Sequence, residues 1–120
     1  MDGTTRILII DDDPVVTLTL EAILATTYEI HVLEDARRAE AEVQRLRPAL
    51  ILLDVMMPEI DGLELCRRFK QHADIAAIPV VLVSCRIFPE EATRGVAAGA
   101  RDYIQQPCAP ALVRVRVVTP

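Results

Sequence analysis

Arg6-Ile7-Leu8-Ile9-Ile10-Asp11-Asp12-Asp13-Pro14 passes directly from an unbroken apolar run to three consecutive carboxylates and then to a proline. Apolar residues that do not alternate with polar ones read as a strand buried on both faces, which is the mark of a parallel sheet covered by helices on each side. Pro14 sits where a first helical turn tolerates proline, and Asp13 before it can cap the exposed amides. The stretch therefore reads as strand, acidic edge and helix, with carboxylates where the strand ends.

Outward from this stretch, the same alternation recurs along the chain. The first helix runs from Pro14 to about Thr26, followed by a strand over Glu29 to Leu33 and a helix over Ala36 to Leu46. Ala49 to Asp54 is a strand, Gly62 to His72 a helix, Val80 to Ser84 a strand and Glu90 to Ala98 a helix. A short strand at Asp102 to Ile104 precedes a last helix from Pro110 to about Val118. Ala36, Ala39, Val43 and Leu46 recur at spacings of three and four behind Asp35, a good cap, and Pro48 ends that run. Gly99 suits the left-handed position that closes a helix. Val15, Val16, Thr17 and Thr19 are β-branched and make the first helix intrinsically weaker.

The strands differ in a way that orders them. Ile7 to Ile10, Leu50 to Leu53 and Val80 to Val83 are apolar throughout and belong in the middle of a sheet. Strand two alternates, with Glu29 and His31 opposite Ile30 and Val32, and strand five is short and carries Asp102 and Tyr103, so these two suit the edges. Right-handed crossovers then give the order 2-1-3-4-5, a doubly wound α/β sheet with five helices that reverses direction between strands one and three. A ligand belongs at that switch point.

Composition bounds the remaining choices. A chain of 120 residues is one domain's worth and buries roughly two thirds of the surface exposed when unfolded. Its 52% apolar content excludes a disordered tail. The longest uncharged run is 11 residues, short of the roughly 20 a membrane-spanning helix needs. The start of the chain lacks a secretion-signal pattern, so a cytoplasmic location is expected. Thirteen basic residues against 18 acidic ones, a net charge of −5, argue against direct nucleic-acid binding. Cys66, Cys85 and Cys108 show neither disulfide nor zinc spacing and read as small apolar residues.

The chemistry lies where strands one and three end. Asp11, Asp12 and Asp13 follow the first central strand, and Asp54 ends the other. Two carboxylates about 4 Å apart repel by roughly 4 kcal/mol at an effective dielectric near 20, so the cluster calls for a cation. An all-oxygen donor set suits Mg²⁺, or Mn²⁺ in its place, and magnesium-assisted phosphoryl transfer is the natural use. A lone acid here would read as a helix cap with solvated neighbours. Asp54 has no such task, because the next helix starts several residues later. Ser84 puts a hydroxyl on the same edge, and Gln106, held before Pro107, puts an amide near it.

Together, "RILIIDDDP", "LILLDVMMPEIDGLEL", "PVVLVS" and "GARDYIQQP", spread from Arg6 to about Val118, resemble the receiver domain of bacterial two-component response regulators. The resemblance implies a flavodoxin-like fold and a single receiver over residues 1–120, core about 6–118, either free-standing or cut from a longer protein. It implies that Asp54 accepts a phosphoryl group from a histidine of a sensor kinase or phosphotransfer domain. Asp11 and Asp12 would hold Mg²⁺ with Asp54 and the backbone carbonyl of Met56, while Asp13 caps the helix. Ser84 would be the switch hydroxyl and Tyr103 the edge aromatic that follows it. Pro58 and Gly62 match the turn after the phosphorylation site. Helix four, strand five and helix five would be the face for partners, including a second copy of the chain.

One position departs from the pattern. Gln106 stands where the family usually has lysine, and glutamine brings hydrogen-bond donors without positive charge. A more negative pocket, heavier dependence on Mg²⁺ and weaker coupling to the output face are expected. Two other functions fit parts of the sequence. One is a receiver-like interaction module that works without phosphate, supported by Gln106. The other is a haloacid-dehalogenase-type phosphatase with Asp11 as nucleophile, Asp13 as general acid and Ser84 as second motif, which leaves Asp54 without a role. In the receiver reading the chain is a signalling domain rather than an enzyme, with at most self-catalysed phosphotransfer and dephosphorylation.

Overall fold

A computed structural model describes residues 5–58, 60–84, 94–105 and 117. Strands β1 (Arg6–Ile10), β2 (Glu29–Leu33), β3 (Leu50–Asp54), β4 (Val80–Ser84) and β5 (Asp102–Gln105) form one sheet in the order β2-β1-β3-β4-β5. All neighbouring pairs are parallel. Helices α1 (Pro14–Leu24), α2 (Ala39–Leu46) and α3 (Gly62–Gln71) connect them, and residues 94–97 form a helical segment before β5. Of the five helices expected, the last lies outside the described residues apart from Val117, which is helical and buried. None of the described helices is long and apolar enough to cross a membrane.

Strand residues alternate between two cores, and that is why the central strands are apolar throughout. Leu8, Ile10, Ile51, Leu53, Val80 and Leu82 meet Val43 and Leu46 of α2 and Leu63, Cys66 and Phe69 of α3. Ile7, Ile9, Leu50, Leu52, Val81, Val83 and Ile104 meet Val16, Leu20, Ile23 and Leu24 of α1 together with Val117. Each fully buried side chain of the size of leucine or phenylalanine contributes about 1.5–3 kcal/mol of transfer free energy. Cys66 is wholly buried, with burial pushing its thiol up, and it packs as a small apolar residue with its Sγ 3.5 Å from the Ala98 carbonyl.

Several boundaries differ from the sequence reading. Helix α1 stops at Leu24, because the Thr27 and Tyr28 amides both turn back to the Leu24 carbonyl. The second helix divides into a 3₁₀ turn, Ala36–Arg38, capped by Asp35 on the Arg37 amide, and then α2. Arg47 closes α2 in the left-handed region at φ 51°, and Pro48 after it disfavours continued helix. Helix α3 ends at Gln71, with His72 already extended. The inward alternation expected for β2 is incomplete: Val32 is 38% exposed and only Leu33 is buried, as befits the edge strand of the sheet, while Ile30 packs partly buried against the core of Ile7 and Ile9. Gly99 takes the expected positive φ, 98°.

Candidate functional site

Register decides which side chains share the carboxyl rim. Ile10 pairs with Leu53, and Leu53 with Leu82, so β1, β3 and β4 end nearly level. Asp11 follows Ile10, with its amide bonded to the Leu33 carbonyl at 3.1 Å. Asp54 closes β3 in register with Val83. One carboxylate oxygen from each of Asp11, Asp12 and Asp54 lies within 4.8 Å of the others.

The three acids occupy unlike environments. Asp11 and Asp54 are buried, at 2% and 8% exposure, whereas Asp12 faces solvent. Burial raises the Asp54 carboxyl to about 7, and the neighbouring charges of Asp11 and Asp12 push the same way against the Met56 amide, which lowers it. Burial also raises Asp11, opposed by the Asp13 amide and by a hydrogen bond with Asp54. Without a cation, the two buried carboxyl groups favour sharing a proton over carrying two charges. The donor set is all oxygen, partly buried and partly open to water, which fits a hard divalent cation that keeps some of its hydration.

Local hydrogen bonds fix the acids in place. Asp11 Oδ1 accepts from the Asp13 amide at 2.9 Å, and Asp13 Oδ1 accepts from the Val15 amide at 2.9 Å, so Asp13 caps α1 and is occupied there. Asp54 Oδ1 accepts from the Met56 amide at 3.1 Å, and the chain then folds back until Met56 bridges to Asp61 in antiparallel fashion. Gly62 makes that fold possible: a Cβ at this position would lie 2.0 Å from the Asp54 carbonyl oxygen. The Gly62 amide donates to the Val55 carbonyl at 2.9 Å.

The other expected residues are less concentrated. Ser84 is the last residue of β4, beside Gln105 in register. Tyr103 lies two strands from Asp54, in register with Leu82 and 37% exposed at the sheet edge. Gln106, Cys85 and Cys108 lie outside the described residues.

Two features escaped the sequence reading. Asp61 caps α3 through Leu63 at 2.8 Å, and its other carboxylate oxygen lies 3.9 Å from Arg94. The pattern Asp61 followed by Glu64 was a legible cap signal, but nothing local pointed to Arg94. With Val55, Met56, Met57, Pro58 and Leu63, these two residues line a cleft of about 510 Å³ beside the Asp54 loop. Lys70, the chain's only lysine, is also committed elsewhere, donating to the carbonyls of Ala76 at 3.0 Å and Ile78 at 2.7 Å.

A family model described as the response regulator receiver domain matches residues 7–118. The response regulator MprA of Mycolicibacterium vanbaalenii is 37% identical over 105 residues, covering 87% of this chain and 45% of that protein. The transcriptional regulatory protein BaeR of Escherichia coli is 36% identical over 119 residues, covering 98% and 48%. The chain thus spans about half the length of these curated relatives. Among solved structures, the BeF3-activated N-terminal receiver domain of Klebsiella pneumoniae RstA superposes with a TM-score of 0.86 at 31% identity, covering 94% of this chain and 95% of that one. The signal receiver domain of a histidine kinase from Syntrophus aciditrophicus gives 0.84 at 36%, covering 95% and 87%. Sheet order, acidic rim and these likenesses agree, and the chain belongs to the response regulator receiver domain family of two-component systems.

Proposed function

We propose that this domain accepts a phosphoryl group on Asp54 from a phosphohistidine of a sensor kinase or phosphotransfer domain. The observation that carries the reading is the convergence of Asp11, Asp12 and Asp54 oxygens within 4.8 Å at the rim. An Asp54 carboxylate oxygen attacks phosphorus, the P–O bond forms as the P–N bond breaks, and the imidazole leaves with the nitrogen lone pair. Asp11, Asp12, Asp54 and the Met56 carbonyl would hold Mg²⁺ or Mn²⁺, which when bound offsets charge on the carboxylates and on the transferring group. The Met56 amide holds the Asp54 carboxylate through Oδ1, and Gly62 lets the loop close against the Asp54 carbonyl.

Ser84 then serves as the switch hydroxyl at the end of β4, and Tyr103 as the aromatic that follows it. Gln106 in place of lysine supplies no positive charge, so the switch leans more on the divalent ion and couples more weakly to the surface formed by helix four, strand five and helix five. That surface is the proposed site for partners, among them a second copy of the chain. Val15 and Leu18, 70% and 66% exposed in the first half of α1, which follows directly on the acidic run, offer apolar surface to the phosphodonor. The role is signalling in the cytoplasm by a single receiver domain rather than substrate turnover, without direct contact to nucleic acid or membrane. A phosphatase using Asp13 as general acid is disfavoured, because that carboxylate caps α1.

Acetyl phosphate with and without Mg²⁺, followed by intact mass, tests the reading. A gain of one phosphoryl group that needs Mg²⁺ and disappears in Asp54→Asn is expected. No gain in the wild type would overturn it in favour of a phosphate-independent interaction module, and turnover lost in Asp11→Asn would favour a phosphatase. Unchanged phosphorylation, metal affinity and output in Gln106→Lys would refute the role given to Gln106.

A further inference from the structure

The Asp54 loop is tied to the helical segment 94–97 by contacts that pass through neither Ser84 nor Tyr103. The Met56 amide donates to Asp54 Oδ1 at 3.1 Å, and Met56 is bridged to Asp61. Asp61 holds the start of α3 with Oδ1, 2.8 Å from the Leu63 amide, and turns Oδ2 toward Arg94 Nη2 at 3.9 Å. That separation is within ion-pair range but beyond a direct hydrogen bond. A shift of a few tenths of an ångström in Asp61 toward Arg94 would bring this half-exposed pair into direct hydrogen-bond contact, and a shift away would weaken it gradually.

The segment that carries Arg94 rests on the sheet through Gly95, where an added Cβ would lie 2.7 Å from Leu82 Cδ1 and 4.0 Å from Leu63 Cδ2. Gly95 is buried with the Leu82 side chain packed directly against it, so the segment and β4 are in close contact at this point. Arg94 also lines the cleft beside Met56, so the pair with Asp61 spans from the Asp54 loop to the segment. Val96, two residues on, is 71% exposed and turns any such movement into a changed surface.

We propose that Arg94 is a positioning residue that, through Asp61 and Met56, couples occupancy of Asp54 to the placement of segment 94–97. When Asp54 Oδ1 is engaged by a phosphoryl group or its mimic, the Met56 amide must follow it or lose its partner, and the antiparallel pairing of Met56 with Asp61, held by the Gly62 amide on the Val55 carbonyl at 2.9 Å, carries the displacement to Asp61 and so to Arg94. This coupling presupposes the proposed role of Asp54, and it gives a domain without the usual lysine a second route from the rim to the helix.

Amide hydrogen exchange of the full chain in Mg²⁺, with and without beryllofluoride, tests the coupling in the wild type, Arg94→Met and Arg94→Lys. In the wild type, beryllofluoride should change exchange in both 55–62 and 94–98. Arg94→Met should keep the response in 55–62 at the same beryllofluoride concentration and weaken that in 94–98 by about two- to fivefold, the range of an exposed ion pair. Arg94→Lys should restore at least half of it. An undiminished 94–98 response in Arg94→Met, or Arg94→Lys behaving like Arg94→Met, would overturn the coupling alone. A wild type silent in 55–62 would overturn the reading of Asp54 and the coupling with it.

Discussion

Replacing Asp54 by asparagine tests whether the rim is held in a frustrated state until a cation arrives. The Asp54 carboxyl is raised from an ordinary 3.8 to about 7, chiefly by burial, with Asp11 and Asp12 adding repulsion. A carboxyl raised on folding binds its proton more tightly folded than unfolded. Its contribution to stability is complete below the unfolded value, declines as pH rises through the window, and is lost above about 7. At about 1.4 kcal/mol per pH unit, the interval sets a ceiling of about 4 kcal/mol, and between pH 5 and pH 8 roughly 2 to 3 kcal/mol of it is lost. Asparagine carries no charge, and its Oδ1 can still accept from the Met56 amide, so the variant escapes the loss.

Urea denaturation followed by far-UV circular dichroism in EDTA should therefore find Asp54→Asn more stable than the wild type, by a margin that widens by roughly 2 to 3 kcal/mol from pH 5 to pH 8. Mg²⁺ at a hundredfold excess over its dissociation constant should return about 2.7 kcal/mol to the wild type near pH 8. It should return less at pH 5, where protons compete for the carboxylates. A margin that stays constant with pH in EDTA, or shrinks as pH rises, would refute the picture of Asp54 as a buried acid pressed against two others.

Two further substitutions probe the scaffold around the rim. Gly62→Ala should lower stability by about 3 kcal/mol or more, because its Cβ would meet the Asp54 carbonyl oxygen at 2.0 Å and backbone cannot yield as a side-chain tip can; the urea midpoint should fall at unchanged slope, and an unshifted midpoint would contradict the close approach. Lys70→Met should cost about 2 kcal/mol in thermal denaturation, since the Ala76 and Ile78 carbonyls lose their ammonium donor; a melting temperature equal to the wild type would mean that water replaces it at no cost.

Much of this was open to reading from the chain alone, for a definite reason. Burial on both faces of a parallel strand leaves a continuous apolar run, so Ile7 to Ile10, Leu50 to Leu53 and Val80 to Val83 announced both their type and their central place. Once the order followed, residues at the carboxyl ends of two adjacent central strands were brought to one edge, and Asp11, Asp12 and Asp54 meet there. Edge and boundary details were less legible. Val32 alternates like an inward residue yet stays 38% exposed, and the turn that ends α1 at Leu24 depends on the Thr27 and Tyr28 amides, which no periodicity records.

Sequence by itself thus determined the layers, the strand order and the acidic rim, because hydrophobic period and strand-end position are local properties that topology multiplies into one site. Only the tertiary structure decided that Asp11 and Asp54 are buried while Asp12 is open, that Gly62 lies against the Asp54 carbonyl, and that Asp61 faces Arg94 from far along the chain. Those outcomes depend on distances between side chains and backbone brought together by packing, and a linear pattern carries no measure of them.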